Sequence, residues 1–313
     1  MHPGRTLLAL AVAAALAGGG FALGRATDGE PPSTTRPAPT PSPTSTVLPK
    51  GPPHCGTAPP RAGGGTWVCT FADEFDGAAL NRDRWEVLTT ARSKYTNGGE
   101  CFLDSPDNVS VSGGALHLTL RREETPVTCT GLPEGVSPLT SYTSGMVTTT
   151  GKFSQAYGRF EFRARFPTTD GPGLHGALWL WPEDENRYGG RPAAGEIDVA
   201  EYYTQYPDRV VPYLHFDEAV AGQRVTNTDC SVSRPDQFHT YSLEWTPETM
   251  TIAYDGRVCL HTTWQAAGLV RPAPFDVPFF LNLTQALGRG TNAPDDDLDL
   301  PATLHIDYVR VWS

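Results

Sequence analysis

The stretch that decides the fold is "AAGEIDVAEYY", residues 193–203, in which three carboxylates stand among residues that favour a strand. The side chains of a strand point alternately to its two faces, so Glu196 and Asp198 share a face. Glu201 would point the opposite way in a regular strand. A β-bulge, in which two residues oppose one on the neighbouring strand, would turn Glu201 to the face of the other two. The spacing therefore indicates either three carboxylates along one cleft wall or an ordinary solvent-exposed acidic strand.

The sequence around this stretch alternates apolar and polar residues in the way typical of strands. "NVSVSGGALHLTL" (108–120) has the pattern of a hairpin with its turn at Gly113-Gly114. In "YGRFEFRARF" (157–166), phenylalanines and arginines fall on opposite faces. The 32 glycines and 29 prolines interrupt most windows in which a long helix could form. These patterns predict an all-β fold, a sandwich of two antiparallel sheets, in a single domain over residues 55–313.

The first part of the chain has the composition of an export segment. Arg5 precedes an apolar run from Leu7 to Ala17, which predicts that residues 1–25 are a signal peptide or an uncleaved signal anchor. Residues 26–54 are rich in proline, threonine and serine, a composition typical of an extended, solvated linker. We therefore expect a protein that is secreted or tethered at the cell surface, with membrane contact only through the N-terminal segment.

The charge balance narrows the classes of partner. The 313 residues include 35 acidic and 24 basic ones, which gives a formal net charge of −11. Without a basic cluster, such a chain is not expected to bind nucleic acid or anionic membrane surfaces. A neutral polymer such as a polysaccharide is compatible with this charge, and we expect a monomer.

Six cysteines follow the N-terminal segment, and an even number in an exported chain favours disulfides. Six cysteines allow many different pairings. Because short closures are common between neighbouring strands and loops, we predict the sequential pairs Cys55–Cys69, Cys101–Cys129 and Cys230–Cys259. The sequence has no C-x-x-C motif or Cys/His cluster, so a zinc site is not expected.

Crowded carboxylates suit the hydrolysis of a glycosidic bond. One carboxylic acid protonates the leaving oxygen, and a second carboxylate attacks the anomeric carbon or activates a water. Like charges close together raise the pKa of at least one group, and an acid that carries a proton near neutral pH requires such a rise. Two of Glu196, Asp198 and Glu201 would fill these roles, and the third would support them.

Five further segments accompany the carboxylate stretch "EIDVAE" (196–201). They are "FADEFDGAALNRDRW" (71–85), the hairpin at 108–120, "YTSGMVTTTGKFSQAYGRFEFRARFP" (142–167), "FHTYSLEWTPETMTIAYDG" (238–256) and "LHIDYVRVW" (304–312). Together the six segments resemble glycoside hydrolase family 16, whose laminarinase-like branch carries a bulged Glu-x-Asp-x-x-Glu motif. The resemblance extends over about residues 66–313.

The resemblance implies a β-jelly-roll sandwich of two curved antiparallel sheets with a concave substrate cleft. It implies a retaining mechanism with Glu196 as nucleophile, Glu201 as general acid and base, and Asp198 as supporting acid. The implied activity is endo-acting hydrolysis of a β-glucan, most often β-1,3-glucan, with a polysaccharide as partner and no cofactor required for catalysis. A galactan hydrolase or a transglycosylase on the same scaffold is the alternative. A non-catalytic glucan-binding module is disfavoured, because both glutamates are present.

Three segments depart from the usual family pattern where the cleft would lie. Leu174-His175 and Arg191-Pro192 stand where many members have tryptophan-containing sequences, and residues 282–292 read "NLTQALGRGTN". These departures leave the carboxylates unchanged, but they affect the expected sugar preference and the number of subsites.

Aromatic side chains near the carboxylates are candidates for sugar stacking, because the CH-rich face of a pyranose is apolar. The candidates are Trp179, Trp181, Tyr203, Tyr206 and Trp245. Each ring is as well suited to core packing, and Trp179 is favoured because it lies in the motif-like "ALW". The resemblance adds His215 as a cleft histidine, and Gln285 is a candidate polar contact to the sugar.

The resemblance also implies a structural calcium ion on the convex side. Calcium requires oxygen ligands. The matching positions are Glu74, a backbone carbonyl near Gly114, and Asp307. Ordinary salt bridges would explain both acids equally well.

Overall fold

The computed structural model of the chain describes residues 53–61, 64–132 and 134–313, all within one compact unit. The predicted signal segment and nearly all of the predicted linker lie outside these residues. The strands of the described part are β1 (Cys69–Asp73), β2 (Glu86–Val87), β3 (Cys101–Phe102), β4 (Val109–Ser112), β5 (Ala115–Thr128), β6 (Leu139–Ser144), β7 (Met146–Thr148), β8 (Gly158–Arg165), β9 (Leu174–Pro182), β10 (Glu196–Tyr203), β11 (Val211–His215), β12 (His239–Trp245), β13 (Met250–Tyr254), β14 (Arg257–Thr262), β15 (Phe279–Leu287) and β16 (Ala302–Trp312). One helical turn, α1 (Thr90–Ser93), and one 3₁₀ turn (Gly290–Asn292) accompany them. No helix of the described residues has the length and apolar character to cross a membrane.

The strands form two sheets, as the alternating sequence pattern predicts. The larger sheet has ten strands in the order β14-β13-β12-β8-β16-β5-β6-β3, with β1 also paired to β16 and β4 to β5. The smaller sheet has the order β11-β10-β9-β15-β7-β2. Among the described strands the pairing is antiparallel except between β3 and β6, which are parallel. The prediction of an all-β, two-sheet fold is confirmed.

The core lies between the two sheets, where their apolar faces meet. Phe160 and Phe162 of β8 have no exposed surface, and the alternating Arg159 pairs with acids on the outer face of the sheet. This arrangement follows from the period of two in the sequence of β8. Burial of such aromatic rings supplies much of the hydrophobic stabilisation of the sandwich.

Trp245 belongs to this core and not to a sugar-binding surface. Its side chain is 1% exposed. The ring meets Phe279 of the opposite sheet edge to face, with centroids 5.3 Å apart. The prediction of Trp245 as a sugar-stacking residue is therefore wrong, because β12 turns this ring inward.

Ion pairs on the larger sheet engage the two acids that match the calcium positions. Both carboxylate oxygens of Glu74 accept hydrogen bonds from Arg310 at 2.8 Å, and Asp307 pairs with Arg163 at 2.5 Å. Gly114 lies in the turn between β4 and β5. Because each carboxylate is already neutralised by a guanidinium, these residues do not fit a calcium ion, and no metal is assigned to them.

Three disulfides connect the edges of the fold. They are Cys55–Cys69, Cys101–Cys129 and Cys230–Cys259, with sequence separations of 14, 28 and 29. The sequential pairing predicted from the sequence is confirmed. A cross-link that closes a loop stabilises the fold mainly by restricting the unfolded chain.

Candidate active site

Strand β10 carries the three carboxylates, and it contains the bulge that their spacing predicts. Along the edge facing β9, Asp198 pairs with Trp179 and Ala200 pairs with Leu178. Trp179 and Leu178 are consecutive, so Val199 is an extra residue on β10. A bulge of this kind changes the face to which the following side chains point.

The other edge of β10 shows the same irregularity. Asp198 pairs with Tyr213 of β11, and the next pair is Glu201 with Val211. Two residues of β10 therefore lie opposite one residue of β11. As a result, Glu201 lies in phase with Asp198, and the predicted bulge is confirmed.

The bulge gives β10 an apolar face and an acidic face. Its core residues, all without exposed surface, are Ile197, Val199, Ala200 and Tyr202. The side chains of Glu196, Asp198 and Glu201 are 10%, 4% and 14% exposed. Each of the three carboxylate side chains is therefore mostly shielded from water.

Two of the carboxylates are paired with basic side chains. One carboxylate oxygen of Glu196, Oε2, lies 2.8 Å from Nη2 of Arg191. Asp198 Oδ2 lies 3.1 Å from Nε2 of His215, which stands on the neighbouring strand β11. Because β11 is an edge strand of its sheet, it supplies the outer wall beside Asp198.

Glu201 is held by aromatic and imidazole groups. The hydroxyl of Tyr203 donates a hydrogen bond to Glu201 Oε1 at 2.6 Å. The Tyr203 ring stacks on His175 of β9 with centroids 4.5 Å apart, and His175 Nε2 lies 3.8 Å from the same carboxylate oxygen. These contacts fix the orientation of the Glu201 carboxyl group.

Burial raises the pKa of all three carboxyl groups. The pKa rises to about 8 for Glu196, about 7 for Asp198 and about 8 for Glu201. The negative charge of Asp198 raises the pKa of both glutamates further, whereas the positive charge of Arg191 lowers the pKa of each group. The cluster therefore retains protons near neutral pH, as a general acid requires.

The two histidines beside the cluster are neutral at physiological pH. Burial lowers the pKa of His175 to about 4, and burial also lowers the pKa of His215. Neither ring adds a fixed positive charge to the site. Arg191 is therefore the permanently charged cation in direct contact with the carboxylates.

A sequence model of glycosyl hydrolases family 16 matches residues 100–306, which include β10 and both strands paired with it. The chain belongs to this family. Its two sheets form the β-jelly-roll sandwich that the sequence resemblance implies.

Named relatives of this family 16 chain span most of its length. A glucan endo-1,3-beta-glucosidase of Cryptopygus antarcticus is 31% identical in an alignment of 265 residues that covers 80% of this chain and 93% of the relative. A beta-glucanase of Rhodothermus marinus is 32% identical in an alignment of 261 residues that covers 79% of this chain and 85% of the relative. The X-ray structure of the laminarinase from Rhodothermus marinus superposes with a TM-score of 0.66 at 30% identity, and the match covers 79% of this chain and 97% of that structure.

Trp179 is the aromatic candidate that stands opposite the carboxylate strand in the register of β9. It pairs directly with Asp198. Its Nε1 donates a hydrogen bond to Oγ1 of Thr284 at 3.0 Å, and its ring meets the edge of Trp181 with centroids 6.2 Å apart. Both tryptophans are partly exposed, so part of each ring is accessible from the surface.

Gln285 and Tyr206 differ in their access to a sugar. Gln285 has no exposed surface, and its side-chain nitrogen donates to the backbone carbonyls of Ala286 and His175 at 3.3 and 3.4 Å. The predicted sugar contact of Gln285 is therefore wrong, because its amide supports the backbone below His175. Tyr206 is 46% exposed and lies beside the guanidinium of Arg209.

The sequence patterns do not predict the site contacts of Arg191, His175 and Tyr95. Arg191 and His175 stand in two segments that depart from the family pattern, and this departure is the signal that marks them. Tyr95 stacks on Phe102 with centroids 5.7 Å apart and packs in one apolar cluster with Trp179. No pattern in the sequence around Tyr95 indicates this position.

The carboxylate cluster is also where the described residues bring three potential metal ligands together. Asp198, Glu201 and His215 offer ligand atoms that lie within 4.8 Å of one another. Burial raises the pKa of Asp198 to about 7 and that of Glu201 to about 8, so both carboxyl groups exchange protons near neutral pH. We therefore assign the cluster to acid–base chemistry.

Proposed function

We propose that this family 16 chain is a retaining, endo-acting β-glucan hydrolase whose preferred substrate is β-1,3-glucan. The observation that carries the proposal is the bulge of β10, because it brings Glu196, Asp198 and Glu201 to one face. The names of the relatives, a glucan endo-1,3-beta-glucosidase and a laminarinase, support the substrate class.

Glu196 is the nucleophile of the first step. Its carboxylate attacks the anomeric carbon while Glu201 donates a proton to the leaving oxygen, so the glycosidic bond breaks as a glycosyl ester forms on Glu196. The raised pKa of Glu201 keeps this proton available near neutral pH. Only the carboxyl groups and the substrate take part in this step.

Water completes the reaction in the second step. The ionised Glu201 takes a proton from the water, whose oxygen attacks the same carbon and releases Glu196. Two successive inversions leave the product with the configuration of the substrate. Asp198 supports the cycle, because its charge raises the pKa of Glu201 and returns the acid to its protonated form.

The proposed enzyme acts outside the cell on a polysaccharide. Three disulfides are typical of an oxidising compartment. Residues 1–25 are its signal peptide or anchor, and residues 26–54 are the linker to a monomeric catalytic domain over residues 55–313.

A reducing-sugar screen over laminarin, lichenan, agarose and carrageenan tests the substrate class. We expect the largest release from laminarin, a smaller one from lichenan, and none from the two galactans. Protein with Glu196→Gln serves as the blank. Release from agarose or carrageenan alone would replace the proposal with a galactan hydrolase.

The size of the first products tests the endo-acting mode. We expect a ladder of laminari-oligosaccharides from the earliest time points, because an open cleft admits the middle of a chain. Products longer than an added oligosaccharide would indicate a transglycosylase. Binding of laminarin without any release of reducing ends would indicate a binding module.

Trp179→Ala is expected to weaken substrate binding more than it slows catalysis. Loss of one stacking ring costs about 1 kcal/mol or somewhat more, so KM for laminarin is expected to rise roughly five- to tenfold. Trp67→Ala is the matched control, because Trp67 packs in a separate cluster with Cys55. An unchanged KM in Trp179→Ala would remove this tryptophan from the substrate-binding surface.

A further inference from the structure

We propose that Arg191 is a positioning residue that favours the charged form of the Glu196 carboxylate before the sugar binds. The inference rests on the proposed role of Glu196 as nucleophile. It assigns a function to one of the segments in which this chain departs from the family pattern. The departure places a cation beside the carboxylate that must attack.

The contact between the two side chains is direct and partly shielded. Arg191 Nη2 lies 2.8 Å from Glu196 Oε2, and the two side chains are 38% and 10% exposed. In the described part of the chain, no other arginine or lysine forms an ion pair with a carboxylate of the cluster. An ion pair of this length, largely shielded from water on the Glu196 side, favours the ionised carboxylate.

The segment that carries Arg191 is anchored at both ends. Gly190 donates its backbone N–H to the carbonyl of Glu185 at 2.9 Å, and Ala194 donates to the carbonyl of Gly190 at 2.6 Å. Gly195 has φ +84° and packs against Phe275 so closely that an added Cβ would lie 3.0 Å from that ring. The guanidinium is therefore presented by an ordered turn.

Five charged or titratable groups surround Glu196. They are Asp198 and Glu201 on the same strand, His215 on β11, Arg191 on the preceding turn, and Tyr95, whose pKa the charge of Glu196 raises. Burial and the two acids raise the pKa of Glu196, whereas His215 and Arg191 lower it. His215 loses its charge as the pH rises, whereas the guanidinium of Arg191 stays charged, so Arg191 opposes the effect of burial at every pH of the profile.

The consequence for pH dependence has a definite sign. Glu196 attacks only when it is ionised, so activity falls as the pH drops through its pKa and produces the acid limb of the profile. The positive charge of Arg191 lowers this pKa, so the pKa is higher in a variant without Arg191. The acid limb of kcat/KM is then expected to move to higher pH. The alkaline limb reports Glu201, on which Arg191 has a weaker influence than burial, Asp198 and Tyr203.

The test compares Arg191→Met, Arg191→Lys and Arg187→Met over the full pH profile on laminarin. For Arg191→Met we expect the acid limb to move up by about one pH unit, a tenfold loss at its acidic end, and a much smaller loss at alkaline pH. Arg191→Lys restores a cation and is expected to recover most of the shift. Arg187 lies on the same segment and bonds to Tyr188, so Arg187→Met is the matched control.

Inactivation by a 2-deoxy-2-fluoro-β-laminaribiosyl fluoride gives a second readout. Fluoride leaves without a proton donor, so the pH dependence of inactivation reports the ionisation of the nucleophile alone. Label on Glu196 with a shifted acid limb in Arg191→Met supports the proposal. Label on Glu196 with an unshifted limb, or an equal loss at every pH, overturns it and leaves the proposed function intact.

Label on any other residue would overturn the nucleophile assignment on which the inference rests. Circular dichroism and the melting temperature establish that each variant is folded. If Arg191→Met does not fold, Arg191→Gln carries the same expected shift and is subject to the same outcomes.

Discussion

Glu196→Gln is expected to reduce laminarin hydrolysis by roughly 10⁴-fold or more while the protein remains folded. An amide cannot form the glycosyl ester, so no alternative route through this side chain exists. Glu201→Gln is expected to lose roughly 10²- to 10⁴-fold, because bond cleavage then lacks its proton donor. Initial rates at the pH optimum of the wild type and circular dichroism of each variant check both expectations.

The two variants differ in a way that separates their roles. An aryl β-glucoside with a good leaving group needs no proton donor in the first step, so Glu201→Gln is expected to form the glycosyl ester with it and Glu196→Gln is not. Glu248→Gln is the matched control, because Glu248 is exposed in the turn between β12 and β13. Full activity of either cluster variant would contradict the assignment.

The same substitutions are expected to increase stability at alkaline pH. The pKa of Glu196 rises from 4.5 to about 8 on burial, so the folded state binds more protons than the unfolded state between these values. Wild-type stability therefore falls as pH rises through this window. Glutamine has no charge to bury, and Glu196→Gln is expected to be more stable by about 1 kcal/mol or more at pH 8, with little difference below pH 4.5. Melting temperatures across this range measure the effect.

Insertion of one alanine between Val199 and Ala200 is expected to abolish hydrolysis, by roughly 10³-fold or more. The bulge of β10 already accommodates one extra residue. A second one turns Glu201 toward the core or shifts the pairing of the strand end by one residue. The control is an alanine inserted after Glu248 in the exposed turn, which is expected to leave activity unchanged.

Deletion of Val199 is expected to have a milder effect, for a reason visible in the register. The remaining pairs on the β9 side, Asp198 with Trp179 and Ala200 with Leu178, become those of a regular ladder. Glu201 then stays in phase with Asp198. The cost is one buried side chain and the hydrogen bond from Tyr254 to the Val199 carbonyl, about 2 kcal/mol of stability. Measurable activity is expected in the deletion and none in the insertion, and the reverse order would contradict the account of the bulge.

The acidic face of β10 is predictable from sequence because a strand has a simple period. Glu196 and Asp198 are two residues apart, whereas Asp198 and Glu201 are three apart. One extra residue between Asp198 and Glu201 therefore turns Glu201 to the face of the other two. The disulfide partners are equally local, since each pair joins cysteines that are neighbours in the chain. The two-residue period of strands therefore accounts for the fold class and the bulge, and closeness in the sequence accounts for the disulfides.

The parts of the site that depend on distant contacts are not predictable in this way. Trp245 lies in a strand with aromatic residues nearby, and only the packing of the opposite sheet decides that its ring faces Phe279. Gln285 is polar, yet its strand lies at the centre of the smaller sheet and its side chain is enclosed. Glu74 pairs with Arg310 because β1 lies beside β16, and this pairing joins two ends of the described chain.

The central claim is that Glu196 and Glu201 act by double displacement, and the anomeric configuration of the first products tests it most directly. Proton NMR of laminarin hydrolysis, recorded before mutarotation proceeds, gives this configuration from the anomeric signals. The account predicts that the β-anomer appears first and that the α-anomer follows only as mutarotation proceeds. Appearance of the α-anomer first would mean a single inversion by water, and it would contradict the role of Glu196 as nucleophile.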